Sequence, residues 1–279
     1  MKKIFVVFIF VFALNKLSSA QQLKVMTYNM RLALASDKED DWEHRKEMFA
    51  GMIGFYDPDF FGVQEALPQQ VNYLETNLNK YKHIGIGRDG VNKGEASAIF
   101  YLASKFQLLQ SNTFWLSETP GAISKGWDAS YIRICTYGLF KDKKSGKKFW
   151  VFNTHLDNDG KVARAKGLEL ILKRMDSLNT SNLPVILTGD FNTAPNTDVI
   201  TNLKTKMNDT KDICTSKPFG PAGTFNGFKY CEPVQDKIDY IFVSKIPAIT
   251  VSKFAVLNNS INMHYPSDHF PVYAVIKIK

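Results

Sequence analysis

The stretch VILTGDFNTAPNT, residues 185–197, ends an apolar run on a carboxylate, Asp190, and a carboxamide, Asn192. Val185, Ile186 and Leu187 read as a short core strand, entered at Pro184 and left at Gly189. Side chains two apart in a strand share a face, so Asp190 and Asn192 share one rim if the extended conformation persists past Gly189. Followed by Pro195, the same residues also suit a turn. The pattern recurs along the chain. Other apolar runs end at Asn29, at Gln64-Glu65, and at Asn153 and His155; Asp239 opens KIDYIFV, and Asp268-His269 stands just before the last run. A fold whose strand ends converge gathers these groups in one cleft. The inventory suits phosphate-ester hydrolysis, in which negative charge builds on the equatorial and leaving oxygens. A metal ion with imidazolium and amide donors stabilises that charge, and a carboxylate aims the water. A positioned acid or base supplies about 10²–10⁴-fold, far short of the acceleration phosphate esters require. Metal and positioning are therefore the main contributors.

The elements that must position these residues are mostly strands. Runs at 23–29, 59–65, 96–101, 131–140, 148–155, 184–190, 237–243 and 271–278 have strand composition. Helical spacing is found over Trp42–Ile53, with Met48, Phe49, Met52 and Ile53 on one side, and over Ala163–Leu178, with Leu168, Ile171, Leu172, Met175 and Leu178 on one side. Pro68–Leu78 is a weaker helix with proline in its first turn. KDKKSGKKF, 141–149, reads as a hairpin turn with Gly146 at its tip and a solvated lysine edge. No internal repeat, low-complexity tract or interdomain linker is visible. Many strands with few helices between them predict two sheets face to face with helices outside.

The ordered set TYNMR, VQE, NTHLD, GDFN, KIDYIFV and SDHFPV resembles the endonuclease/exonuclease/phosphatase superfamily over essentially all of residues 23–279. The resemblance implies an α/β fold, a four-layer α/β sandwich of two packed, mainly antiparallel sheets flanked by helices. It implies a hydrolase of phosphoester bonds that uses Mg²⁺ or Mn²⁺, in the first place a phosphodiesterase acting on nucleic acid or a small diester. Glu65 resembles the principal metal ligand, with Asn29 beside it and Asp268 as a metal or neighbouring ligand. Asp190 resembles the group that orients or deprotonates the attacking water, and Asn192 a donor to the phosphoryl oxygen. His269 resembles the histidine beside the scissile phosphate, with Asp239 setting its tautomer. His155 matches a second histidine facing a non-bridging or leaving oxygen. With this ordered set, the turn reading of Asp190 gives way to a site reading.

One departure concerns Arg31, where some members carry an acid. One tightly bound metal is expected, and Arg31 binds phosphate or pairs with a structural carboxylate. In FWLSETPGAISKGWDASYIR, 114–133, Arg133 is a candidate phosphate clamp and Trp127 a candidate stacking ring, against packing roles for Trp127 and Trp115. Thr224-Phe225-Asn226 and Arg45 carry the same ambiguity, and Asp157 is equally a turn or a site residue.

Length and composition bound the rest. The chain has 279 residues, 44% hydrophobic and 22% charged, which is ordinary globular composition. It opens with Lys2 and Lys3, a short apolar stretch Ile4–Leu14, and small residues at Ser18 and Ala20, the pattern of a secretory signal peptide cut after Ala20. Residues 1–20 are thus expected to be removed, 21–279 to form one domain, and the product to be periplasmic or secreted, without a stable membrane anchor. Removal takes three lysines and no acid from a net charge of +8, leaving +5. This mild basicity suits an anionic substrate without specifying nucleic acid. Of three cysteines, Cys214 and Cys231 flank a Pro/Gly-rich loop and are disulfide candidates; Cys135 lies in an apolar strand pattern. The expected partner is a phosphoester substrate, a small diester or single-stranded nucleic acid, met by a monomer. The segment TFNGF…KIDYIFV with WLSETP places the chain closer to the deadenylase-like branch than to duplex-cutting nucleases. A phosphatase of inositol phosphates or lipid headgroups is the alternative. A non-catalytic binding module is disfavoured by the intact constellation.

Overall fold

A computed structural model describes residues 21–279. The expected signal peptide lies outside the described residues. Twelve strands form two six-stranded sheets. In the first, the order is β11 (Ile249–Val256), β12 (Val272–Ile278), β1 (Gln21–Asn29), β2 (Phe60–Gln64), β4 (Ile99–Leu102) and β3 (Tyr81–Ile84). In the second it is β5 (Phe106–Trp115), β6 (Ile134–Asp142), β7 (Lys148–His155), β8 (Val185–Asp190), β10 (Asp239–Ser244) and β9 (Met207–Asp209). Each sheet has one parallel pairing, β1 with β2 and β7 with β8, among antiparallel ones.

A parallel pair needs a crossover, and here helices supply both. Helix α1 (Trp42–Tyr56) links β1 to β2, and α3 (Lys161–Leu178) links β7 to β8. Asp41 caps α1 by accepting from Glu43 N at 2.6 Å, and Asp57 closes it in the left-handed region. Helix α2 (Pro68–Asn77) starts on its proline, and α4 (Asp198–Lys206) follows β8. Strand alternation divides the second sheet. Val151, Ile186, Ile241 and Val243 turn inward, into a core shared with the first sheet, α1 and α2. Trp150, Phe152, Leu187, Tyr240 and Phe242 turn outward, onto Leu168, Ile171 and Met175 of α3 and Ile200 and Leu203 of α4. The layers are helix, sheet, sheet, helix, as the resemblance implies.

Between the sheets lies a buried polar network. Asn153 of β7 donates from Nδ2 to Val63 O and Ala98 O, both at 2.9 Å, and its Oδ1 accepts from Gln64 Nε2 at 2.7 Å and Thr188 Oγ1 at 3.0 Å. Gln64 also reaches Thr27 Oγ1 at 3.0 Å. Gly62 permits this approach, since a Cβ there would stand 2.5 Å from Asn153 Oδ1. Asn153 and Gln64, which end their runs in the sequence, thus join the sheets rather than line a cleft.

Other boundaries moved. The run at 96–101 becomes a strand only from Ile99, and Trp115 ends β5 rather than lying in a loop. Strands β3, β5, β9 and β11 and helix α4 have no counterpart in the sequence reading. Cys214 and Cys231 are free thiols, correcting the disulfide expectation. Cys214 is held at β11 by bridging to Val251, with its sulfur 3.5 Å from Ser216 Oγ, and Cys231 is exposed in the following loop. Among the described residues no helix is long and apolar enough to cross a membrane.

Because Asn153 satisfies partners in both sheets, Asn153→Ala should cost at least about 2 kcal/mol, the order expected when buried donors and acceptors lose their partner. Urea denaturation checks this; a loss below about 0.5 kcal/mol would mean that packing alone registers the sheets.

Candidate active site

The two sheets meet at one end in a cavity of about 730 Å³. Glu65, Asp268 and His269 line it from the first sheet, and His155, Asp190 and Asn192 from the second, while Asn29 and Asp239 stand buried behind them, bonded to Asp190 and His269. Asp190 stands at the seam. Its Oδ2 accepts from Asn29 Nδ2 at 3.0 Å and lies 3.5 Å from His155 Nε2 and 3.8 Å from His269 Nε2. Its Oδ1 accepts from Asn192 N at 2.9 Å. The segment after β8 is therefore a turn and part of the cluster at once. Asn192 has φ of 48°, so it shares the rim with Asp190 through the turn, not through strand alternation.

Asn192 Nδ2 donates to Leu156 O at 2.9 Å and faces His155 Nε2 at 2.9 Å. With an amide donor there, Nε2 is the accepting nitrogen and the His155 proton sits on Nδ1. Burial, and then the charges of Arg133, His269 and Arg88, hold His155 well below the ordinary histidine range. His269 is the opposite case. Burial disfavours its charge, but Asp239, bonded to Nδ1 at 2.9 Å, and the nearby Asp190 and Asp268 hold the proton well above that range. Burial and the Asp239 charge push Asp190 up to about 7, against the pull of His269 and its donors.

Glu65 follows β2 with φ of 60°. Its Oε1 accepts from Asn29 Nδ2 at 3.0 Å and its Oε2 from Leu32 N at 3.1 Å, which hold a conformation costly for a residue with a Cβ. Asp268 is raised by burial and by Glu65, and lowered by His269, Arg31 and Arg45. Among the described residues, Asp190, Asp239 and His269 place ligand atoms within 4.8 Å of one another. Asp239 Oδ1, buried without a donor, favours a cation there. The imidazolium proton and the Asp239–His269 bond oppose it more strongly. Glu65 and Asp268 offer carboxylate oxygens to the cavity and a repulsion that a cation relieves, while Asn29, expected as a ligand, turns its Nδ2 to Glu65 and Asp190 and its Oδ1 to Arg31 N, and so orients Glu65. This set fits a hard divalent ion such as Mg²⁺ or Mn²⁺.

The remaining candidates divide. Arg31 is held bidentately by Asp37 at 2.9 and 3.0 Å, with Nη1 3.7 Å from Asp268, so its structural pairing is realised while it lines the cavity. Arg133 lines the cavity with Nε 3.2 Å from Asp157 and Nη2 2.8 Å from Asn158. Asp157 is a turn residue that accepts from the backbone N–H of Ser130, Tyr131 and Gly160. Burial raises it, but these donors and Arg133 bring it to about 2. Trp127 lies outside the cavity lining, half-buried with φ of 49°, its N–H directed to Glu118. Arg45, buried, donates to Met30 O, Arg31 O, Asp40 O and Pro266 O, so it is a loop clamp. Phe225 stands edge-on to His269 at 5.1 Å between centroids. Thr224 and Asn226 tie its segment to Phe270 N, Ser267 O and Asp268 O. His44, His83 and His264 do not line the cavity.

Sequence reasoning missed Arg88, Glu95 and Tyr131, which complete one wall. Arg88 and Glu95 lie in a loop with no apolar run to mark them, and Tyr131, read as the start of a strand over 131–140, stands in the loop before β6, which begins at Ile134. The signal available was glycine spacing, with Gly87, Gly90 and Gly94 around Arg88 and Glu95.

The Endonuclease/Exonuclease/phosphatase family model matches residues 26–269. The chain belongs to that family. It is 38% identical to a family protein of Bacteroides thetaiotaomicron, with a TM-score of 0.88 over 93% of this chain and 99% of that one. It is 40% identical to a mannosyl-6-phosphatase of the same organism, with a TM-score of 0.86 over 91% and 99%. Rat nocturnin is 23% identical over 90% of this chain and 65% of its own length. Members of the family hydrolyse phosphoester bonds and generally use divalent metals.

In metal-free protein, ¹⁵N NMR should find His269 charged at pH 7.5 and His155 neutral at pH 6. Asp239→Asn should move the His269 midpoint to lower pH, because Asp239 supports the charged form. A raised histidine contributes stability that is full below its unfolded value of about 6.5 and is lost as pH rises through the folded one. A neutral His269 at pH 6 would overturn the assignment.

Proposed function

We propose that the chain is a divalent-metal-dependent hydrolase that cleaves the phosphate ester of a small molecule. The observation that carries this is the Asp190 carboxylate, held by Asn29 and Asn192 beside two histidines in opposite protonation states. A Mg²⁺ or Mn²⁺ held by Glu65 and Asp268, with Asn29 orienting Glu65, would supply Lewis-acid stabilisation of phosphoryl charge. Asp190 orients the attacking water and accepts its proton. Charged His269, fixed by Asp239, donates from Nε2 to a phosphoryl oxygen. Neutral His155, 3.5 Å from Asp190, takes up a proton on Nε2 as the phosphate dianion offsets the charges of Arg133 and Arg88, and passes it to the leaving oxygen as the P–O bond breaks, so that the proton Asp190 takes from water is matched by the one the alcohol gains. Protonation of His155 Nε2 releases the Asn192 Nδ2 hydrogen that faced it, which then donates to a phosphoryl oxygen. Arg31 and Arg133, each already aligned by a carboxylate, face the phosphate from the cavity wall.

The reading of a small monoester, rather than a diester or a single-stranded 3′ end, is supported by the 40% identity to a mannosyl-6-phosphatase. The placement of the lysine turn also supports it. Lys143–Lys147 close the β6–β7 hairpin beside Gln21 and Ile278, while His155 lies at the other end of β7. Those lysines cannot follow a duplex into the cleft. Polynucleotide binding should therefore lack the steep salt dependence of multiple phosphate contacts, about −0.9 in log–log slope for each. A second reading, cleavage of single-stranded nucleic acid, is favoured by Phe225, a half-exposed ring beside His269 on which a base can stack. Residues 1–20 are proposed to be a secretory signal, on their composition.

Residues 21–279 should hydrolyse a hexose 6-phosphate in Mg²⁺, lose activity in EDTA and regain it with Mg²⁺ or Mn²⁺. Full activity after exhaustive chelation would reject the metal assignment, and faster turnover of single-stranded RNA than of any monoester would favour the second reading. Asp190→Asn should lower kcat by at least ~10²-fold, as expected for loss of a proton acceptor. Because Asp190 is raised to about 7, activity should rise with pH through that value, or through a lower one when a bound cation favours the carboxylate. Constant activity from pH 8 down to pH 5 would remove Asp190 from the role of base.

A further inference from the structure

We propose that Arg88 and Glu95 form a subsite that reads the hydroxyl groups of the leaving alcohol, so that the preferred substrate is a polyol phosphate such as a hexose phosphate. This rests on the phosphoester-hydrolase reading above.

The pair adjoins Glu65 and His155 on one wall of the cavity and makes no hydrogen bond to Asp190. Arg88 Nη2 lies 2.7 Å from Glu95 Oε1, and both side chains are mostly buried, at 18% and 14% exposed. Both line the cavity beside Tyr131 and Arg133. Burying such a pair costs solvation that apolar residues would not, so its place on a cavity wall is weakly explained by stability. Its surroundings hold it rigid. Arg88 N donates to Glu95 O at 2.9 Å, and the Trp115 indole N–H donates to Arg88 O at 2.7 Å. The connecting loop closes so tightly that a Cβ on Gly87 would stand 1.8 Å from Lys93 O. The Arg88 guanidinium carbon lies 5.3 Å from the centre of the Tyr131 ring, and Asp157 fixes the Tyr131 backbone. A wall ordered in advance loses little entropy when it binds.

The chemistry of the pair selects the ligand. A second phosphate would meet the Glu95 carboxylate and be repelled. A hydroxyl group both donates and accepts, so neighbouring hydroxyls can donate to Glu95 and accept from Arg88 together. An alkyl or aryl alcohol offers neither, and leaves the buried charges without the partners they had in water. Burial, and the nearby Glu65 charge, raise the Glu95 carboxyl, and the Arg88 guanidinium opposes this. The phosphate end of the same molecule reaches the seam between the sheets, and the alcohol end extends along this wall.

Binding is measured by titration calorimetry in the Asp190→Asn protein, where no turnover interferes, with hexose 6-phosphate and with inorganic phosphate. Hexose 6-phosphate should bind at least about 10-fold tighter than phosphate, the scale of one well-read polar contact. Glu95→Gln, nearly isosteric, should remove that margin and change phosphate affinity by less than about threefold, and Arg88→Met should remove the margin whatever the loss of its charge does to phosphate affinity. Melting temperatures of the variants confirm that each is folded. A margin that survives both substitutions, or that is absent when Arg88 and Glu95 are intact, overturns the proposal. Failure of the hydrolase reading would show separately, as no turnover of any phosphoester by the unsubstituted chain in Mg²⁺ while the binding margin stays.

Discussion

The site depends on the register between two sheets, and the hydrogen bonds of Asn153 set that register. Its amide takes Val63 O, Ala98 O, Gln64 and Thr188 at once, so it satisfies backbone and side-chain groups of both layers. Apolar packing between sheets tolerates small slides, whereas a fully satisfied buried amide does not. This matters because the site straddles the seam. Asn29 meets Asp190, and His269 meets Asp239, across the two layers at 3.0 and 2.9 Å. A shift of 1 Å between the sheets would lengthen both bonds beyond useful range. The polar network thus sits beneath the cleft as its foundation, and Gly62 is the space that lets it form.

Above that foundation, the chain reverses sharply as it leaves three strands. Arg31, Glu65 and Asn192 come one or two residues after β1, β2 and β8, and all have φ between 48° and 60°. Each such residue costs about 1–3 kcal/mol and persists only where its surroundings fix it. Here they do. Asn29 Oδ1 accepts from Arg31 N, Asn29 and Leu32 hold the Glu65 carboxylate, and Asp190 Oδ1 accepts from Asn192 N. Arg45 then ties the exit of β1 to Pro266, just before Asp268 and His269. Strain at the rim is borne by the same hydrogen bonds that aim the functional groups.

These features explain what could be read in the sequence. The strands at the centre of each sheet are buried on both faces and appear as apolar runs, so β1, β2, β7, β8, β10 and β12 were legible, together with the polar residues that end them. The sheet edges were not. Strand β5 is exposed over Gln107–Ser111 apart from Leu108, and β3 is four residues long, so neither carries a strong period. Side chains at strand ends do not declare which way they face: Asn153 and His155 are two apart in one strand, yet one joins the sheets and the other lines the cleft. Arg88 and Glu95 were invisible because a loop positions them through backbone contacts, which leave no pattern of side-chain types, and Tyr131 was read as strand where the chain is still loop. Trp127 was the reverse case, a conspicuous residue whose loop carries it away from the cavity.

The charges of the cavity follow one rule. Arg31 pairs with Asp37, Arg88 with Glu95 and Arg133 with Asp157, so every cation on the wall has a carboxylate that fixes its direction. A polynucleotide groove works differently, with long cations left mobile in solvent to follow a backbone. Pre-paired arginines exert little long-range pull and bind through geometry at short range. Such a wall suits a ligand with few charges in fixed positions. Against it, the acid-rich floor of Glu65, Asp190, Asp239 and Asp268 has a single internal cation, His269. Burial, and then the neighbouring carboxylates, Asp239 for Asp190 and Glu65 for Asp268, raise both groups, and a cation on the Glu65–Asp268 side would relieve the repulsion. Fixed arginines on the wall and buried carboxylates on the floor are the features on which the proposed metal and phosphate contacts rest.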